Sequence, residues 1–247
     1  MEGEQRLTGD DAVARLRVHL HPGHRLDVVL LAGAAGAEPP GRDPDGERVH
    51  PADVAVALLT GMDTPLGLTA GNALEVRESV EVLAGGGPAD VVELTVELAR
   101  EMLAAAGRPD ADPAPALQDG RAMDVWRRMI VAQGGDPDAP LPVAEHQHTV
   151  AAQGDGYVSR MDAFAVGVAA WRLGAGRARK EDPVQAAAGI ELHAIRGDSV
   201  RAGEPLLTLH TDTPERFARA TEALAGAIDI GSDEPETSDV VYERIAP

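Results

Sequence analysis

The spacing of apolar positions changes character along the chain, and each change predicts a different element. Leu26 to Leu31 form a short apolar run that reads as one strand, while Val13, Leu16, Val18 and Leu20 fit either a short helix or a strand. From Gly33 to Gly46 almost no large apolar side chain occurs among glycines, prolines and acids, the texture of a linker. Val54 to Thr60 is a continuous apolar run between Pro51 and Gly61, as in a strand covered on both faces of a parallel sheet. The period then lengthens. Leu74, Val76, Val80 and Leu83 predict a helix over Asn72 to Leu83 that stops at Gly85-Gly86-Gly87. Val91, Leu94, Leu98 and Met102 predict a second, opened by Pro88 and running to Ala106. Met123, Trp126, Met129 and Ile130 mark a third, from Gly120 to Gln133.

Beyond Pro142 the segments shorten. Strands are expected at His148 to Ala152, Gly156 to Arg160, Ala188 to Ile195, Leu206 to His210 and Val240 to Arg244. Helices are expected at Asp162 to Leu173, stopped by Gly174, and at Pro214 to Ala227, and Gly197-Asp198 reads as a turn. The chain therefore divides into residues 1–50, disordered or irregular; 51–145, one βα unit with helices, too little for a complete doubly wound sheet; and 146–247, a small α+β unit. The expected fold class is α/β plus α+β. An incomplete parallel sheet would leave the edge of the Val54 to Thr60 strand open and prone to self-association.

Charge and composition narrow the function classes. The formal net charge of −19 excludes a basic nucleic-acid groove or an anionic-membrane surface as the global design. Two residues each of Trp, Tyr and Phe leave no stacking platform for single strands. With no Cys there is neither a disulfide framework nor a thiolate site, which fits a reducing compartment, and the start Met1-Glu2-Gly3-Glu4 lacks a basic signal-peptide head; a cytoplasmic location is expected. Lys180 is the only lysine.

Ligands of open α/β sheets sit beyond the carboxyl ends of strands, which points to the loop Gly61 to Gly71. Its glycines allow carbonyls to turn inward, and a carboxylate from Glu75, Glu78 or Glu81 is placed to complete an oxygen shell for a hard cation. The same three glutamates also fit a solvated helix face. His19, His21 and His24 are broken by Pro22-Gly23 and read as surface residues; His146 and His148 read as an exposed strand face. Gly85-Gly86-Gly87 fits a helix stop better than an anion nest, and Arg196-Gly197-Asp198 fits a turn. Gly174 to Lys180 gathers Arg177, Arg179 and Lys180 in one turn.

Read in order, Pro65-Leu66-Gly67, Gly71-Asn72-Ala73-Leu74-Glu75-Val76, Gly87-Pro88, Ala132-Gln133-Gly134-Gly135, Gly156-Tyr157-Val158, Met161-Asp162, Leu173-Gly174-Ala175-Gly176-Arg177 and Gly203-Glu204-Pro205-Leu206 closely resemble the thymidine and pyrimidine-nucleoside phosphorylase family. The resemblance covers about residues 54 to 247. It implies phosphorolysis of a pyrimidine nucleoside to free base and (deoxy)ribose 1-phosphate, with nucleoside and phosphate as partners. It also implies a potassium ion held by the carbonyls of Leu66 and Thr69 and the carboxylate of Glu78, and a homodimer formed through an N-terminal helical domain. The family's Lys-His-Ser-Thr-Gly-Gly phosphate loop, its Ser-Gly-Arg-Gly segment and its base-gripping set do not occur in these residues. The expectation is a chain that is inactive alone, with an incomplete cation shell and no assignable catalytic residue, or else a noncatalytic module derived from the family. Gly189 to His210 also resembles biotinyl and lipoyl carrier domains, which implies a barrel-sandwich-like fold, but Lys180 lies outside that hairpin and a swinging arm is not expected.

Overall fold

A computed structural model describes residues 26–32, 55–236 and 238–246. The elements run β1 (Leu26–Ala32), β2 (Ala55–Gly61), β3 (Thr69–Gly71), α1 (Asn72–Leu83), α2 (Ala89–Ala105), α3 (Pro115–Gln118), α4 (Arg121–Ala132), β4 (His146–Ala151), β5 (Gly156–Met161), α5 (Ala163–Ala170), β6 (Gly189–Leu192), β7 (Ser199–Val200), β8 (Pro205–Thr211), α6 (Arg216–Ala223), β9 (Ile228–Gly231) and β10 (Val241–Ile245). The strands form a three-stranded sheet β1-β2-β10, a four-stranded sheet β3-β6-β8-β4 and a three-stranded sheet β7-β5-β9. The His19, His21 and His24 group lies outside the described residues.

Every strand pairing among the described residues is antiparallel, which corrects the parallel βα unit expected from Val54 to Thr60. Ala57, Leu58, Leu59 and Thr60 are each 3–5% exposed, so the run is covered on both faces as expected. A continuous apolar run reports burial, not strand direction. The chain also does not pass from β2 straight into a helix. It first crosses to the four-stranded sheet as β3, which pairs with β6 in the register Thr69↔Glu191, Ala70↔Ile190, Gly71↔Gly189. The expected open edge of β2 is a further correction, since β1 pairs along one side and β10 along the other. The last strand of the chain thus closes a sheet begun near its start, a pairing of high sequence separation that no local pattern announces.

Helix α1 begins and ends where its period predicts, with Gly86 N–H returning to the Glu81 carbonyl at 2.9 Å to stop it. Pro88 caps α2. Burial of the α2 and α4 stripes is weaker than expected: Val96 is the only buried residue of α2, α4 has none, and Met102 and Met129 are 56% and 48% exposed. The helix after Asp162 is capped by that side chain, which accepts the Ala165 N–H at 3.0 Å, and it ends in a π-helical turn, Trp171–Ala175, with Gly174 at φ 117°.

The main core lies between α5, α6 and the inward faces of the second and third sheets. Met161, Leu173, Ile190, Leu207 and Leu209 are fully buried there, with Val158, Val166 and Ala220. Along β8 the side chains alternate: Leu207, Leu209 and Thr211 face this core, and Thr208 and His210 face the other side, where they are also covered. His146 and His148 are exposed on β4, an edge strand, as the pattern suggested.

Candidate functional site

The loop between β2 and α1 is held by three carboxylates on its backbone amides. Gly67 N–H donates to Asp90 Oδ2 at 2.8 Å, Leu68 N–H to Glu78 Oε2 at 2.7 Å, and Gly71 N–H to Glu75 Oε1 at 2.7 Å. Gly67 is buried at φ 71°, and a Cβ there would strike the Glu78 carboxylate, so glycine is required for the carboxylate to lie under the turn. A carboxylate at the fourth position of α1 that accepts the amide before the helix also caps its N-terminus and suits the helix dipole; Glu75 does this.

Of the three positions expected to hold a cation, the structure sets the side chains of Thr69 and Glu78 beside each other. Glu78 lies beside Thr69, whose hydroxyl favours the ionised carboxylate by proximity although Thr69 Oγ1 is buried without a hydrogen bond of acceptable geometry. Leu192 N–H donates to the Leu68 carbonyl at 2.7 Å, so in the alternating antiparallel ladder Thr69↔Glu191 is the non-hydrogen-bonded pair. The Thr69 carbonyl accordingly faces away from β6, on the open side of an edge strand. Leu66 stands one residue before the buried turn, its side chain 46% exposed at the rim of a cleft. Glu81, the third glutamate considered, is exposed and takes no part in the turn.

Desolvation is the largest influence on Glu78 and raises its pKa above 4.5, with the negative charges of Asp90 and Glu75 adding to it and the Leu68 and Thr69 contacts opposing it. A carboxylate so placed gains from a nearby cation. Oxygen atoms of this kind suit hard cations; among the described residues no cluster of three or more His, Cys, Asp or Glu stands ready to hold a metal ion.

The cleft beside the loop encloses about 730 Å³ between Asp63 to Leu66, the β5 end at Ser159 to Asp162, and Pro235, Glu236, Ser238 to Val240 and Tyr242. Both of its arginines are engaged. Arg160 bridges Asp162 at 2.9 Å and donates to the Gly226 carbonyl at 2.7 Å, and Arg196 donates to the carbonyls of Ser159 and Glu236. Asp90 was missed by sequence reasoning because it serves the loop from the next helix; an acid just inside a proline-opened helix was its only signal. The basic turn is tied to the same loop, since Asn72 Nδ2 donates to the Ala175 carbonyl at 2.7 Å. Gly197 and Asp198 form the expected turn, with Ile195 N–H bound to Asp198 Oδ2 at 2.8 Å. Among the described residues no helix is long and apolar enough to cross a membrane.

Residues 157–231 match the family described as pyrimidine nucleoside phosphorylase C-terminal domain. The chain is 54% identical over 189 residues to a thymidine phosphorylase of Mycobacterium tuberculosis, covering 76% of this chain and 44% of that protein. It is 42% identical over 168 residues to a pyrimidine-nucleoside phosphorylase of Bacillus subtilis, covering 64% and 39%, and 36% identical over 202 residues to one of Geobacillus stearothermophilus, covering 77% and 46%. The chain thus spans less than half the length of these curated relatives. Shared motifs, the matched domain and the extent of identity agree that it carries the C-terminal portion of the thymidine and pyrimidine-nucleoside phosphorylase family.

Proposed function

We propose that this chain serves pyrimidine-nucleoside phosphorolysis by supplying the C-terminal half of the enzyme, and that its 247 residues alone do not turn over. The reaction needs donors that seat phosphate and groups that stabilise the departing base as the sugar gains oxocarbenium character. What supports the first part is the 54% identity to a thymidine phosphorylase together with the loop Gly61 to Gly71, whose glycines are used to seat Glu78 against the backbone. What supports the second is the sequence itself, which holds no phosphate-cradling motif, and the cleft, whose two arginines are bound to the protein's own acceptors. Potassium belongs to the same proposal: the carbonyls of Leu66 and Thr69 and the carboxylate of Glu78 would hold it, and it would supply positive charge that fixes the loop.

The deciding experiment is phosphate-dependent release of thymine or uracil by the purified chain, alone and mixed with the N-terminal half of a relative. No turnover alone and turnover in the mixture is the expected result. Robust turnover by the chain alone would falsify the second part. No turnover in a mixture that demonstrably associates counts against the first.

A further inference from the structure

The outward face of the four-stranded sheet carries a buried histidine that the site above does not use. His210 lies on β8 with its side chain 8% exposed, and its Nε2 has no hydrogen-bond partner. Glu191 Oε2 on β6 stands 3.6 Å away, too far for a hydrogen bond. What covers the ring follows from two glycines. Gly189 is directly opposite His210 in register and Gly71 directly opposite Gly189. With no side chain at either position, α1 descends onto the sheet until Leu74 Cδ1 stands 2.9 Å from where a Gly189 Cβ would be. Arg77, one turn further along α1, is near enough for its charge to act on the histidine.

We propose that His210 is an acid-sensitive catch for α1: charging its imidazole releases the first turns of the helix from the sheet. The charged and titratable groups around it are few. Glu191 on β6 attracts an imidazolium, Arg77 on α1 and His193 beyond β6 repel it, and the residue opposite on β4, Gln147, is neutral. His193 is itself engaged, its Nε2 lying 2.7 Å from Thr208 Oγ1. Burial outweighs the attraction of Glu191, so the imidazole is held below its ordinary value of 6.5. A base whose pKa is lowered in the closed arrangement holds fewer protons there than when released. The closed arrangement is therefore fully favoured above pH 6.5 and loses ground as the pH falls below it. Moving α1 away removes Arg77, opens the ring to water and lets Glu191 swing in.

The test is amide hydrogen exchange along the first turns of α1 in the full chain from neutral pH downwards, corrected for intrinsic exchange, with an NMR titration of His210. The expected result is opening that grows by about tenfold per pH unit below the ordinary histidine range until the lowered pKa is reached. His210→Gln should abolish that component, leaving only the part contributed by Glu78, which wild type shares. Arg77→Gln, at an exposed helix position, removes a repulsion felt only in the closed arrangement. It should therefore leave the onset unchanged, make the opening level off at a higher pH and reduce its total rise, and it keeps the proposal testable if His210→Gln fails to fold. Identical exchange profiles for wild type and either variant, or a His210 that titrates at or above its ordinary value, would overturn the proposal.

Discussion

The sheet-and-helix unit around β6 and β8 and the helices α2 and α4 draw on similar apolar residues, yet they bury them to different degrees. In the first, Ile190, Leu207 and Leu209 are wholly enclosed, because α5 and α6 cover one side of the sheet and α1 settles on part of the other. In the second, amphipathic helices lie against few neighbours, so Val96 alone is buried while Met102, Val125, Met129 and Val131 remain 48–60% exposed. Enclosure from both sides, more than apolar content, makes a core. The unit around β8 has what an independently stable domain needs, whereas α4 packs mainly against α1 and α3 and adds little enclosure of its own.

Substitutions that remove the same kind of volume from the two regions give the sharpest contrast. Leu207→Ala, in the enclosed sheet, is expected to cost about 2–5 kcal/mol, since the lost transfer energy is joined by a cavity the tight surroundings cannot close. Met129→Ala on α4 should stay within about 0.5 kcal/mol. Urea unfolding of the two variants measures both, and equal costs would break the comparison. A smaller effect is expected where α1 meets the sheet. Gly189→Ala places a methyl 2.5 Å from the Ala70 carbonyl and 2.9 Å from Leu74 Cδ1, an overpacking cost of about 1–3 kcal/mol. Gly167→Ala, on the exposed side of α5 with nothing within 4 Å, should instead stabilise by about 0.4–1 kcal/mol through the unfolded chain.

Local pattern carried much of this fold. The period of Leu74, Val76, Val80 and Leu83 located α1, although the helix buries Ala73, Leu74 and Val82 and leaves Val76 exposed, and Gly85 to Gly87 ended it because backbone at positive φ stops helices. The direction of β2 was not legible, since neighbours on both sides demand apolar residues whichever way they run. Nor was β3. Thr69-Ala70-Gly71 is too short to show a period, and its pairing with β6 lies more than a hundred residues away. Glu78 was legible as a candidate through its motif, but the role of Asp90 was not, because its contact with Gly67 depends on how α2 returns beside the loop.

The smallest effect is expected where α2 meets the first sheet. Arg244 on β10 makes a bidentate pair with Glu101 on α2, with Nε to Oε1 at 2.5 Å and Nη2 to Oε2 at 2.9 Å. The arginine is about half exposed, and screened pairs of this kind contribute about 0.2–1 kcal/mol, so Arg244→Ala should lie at or below that range. The arginine holds the Glu101 carboxyl below its ordinary value of 4.5, chiefly by the hydrogen bonds it donates. A carboxyl whose pKa is lowered by folding contributes fully above its unfolded value and loses that contribution as the pH falls through the folded one. A double-mutant cycle with Glu101→Gln should therefore show coupling at neutral pH that shrinks in acid and in high salt. Coupling of several kcal/mol would mean that α2 is held to β10 far more firmly than an exposed pair allows, and the loose anchoring of α2 in the contrast drawn above would then be wrong.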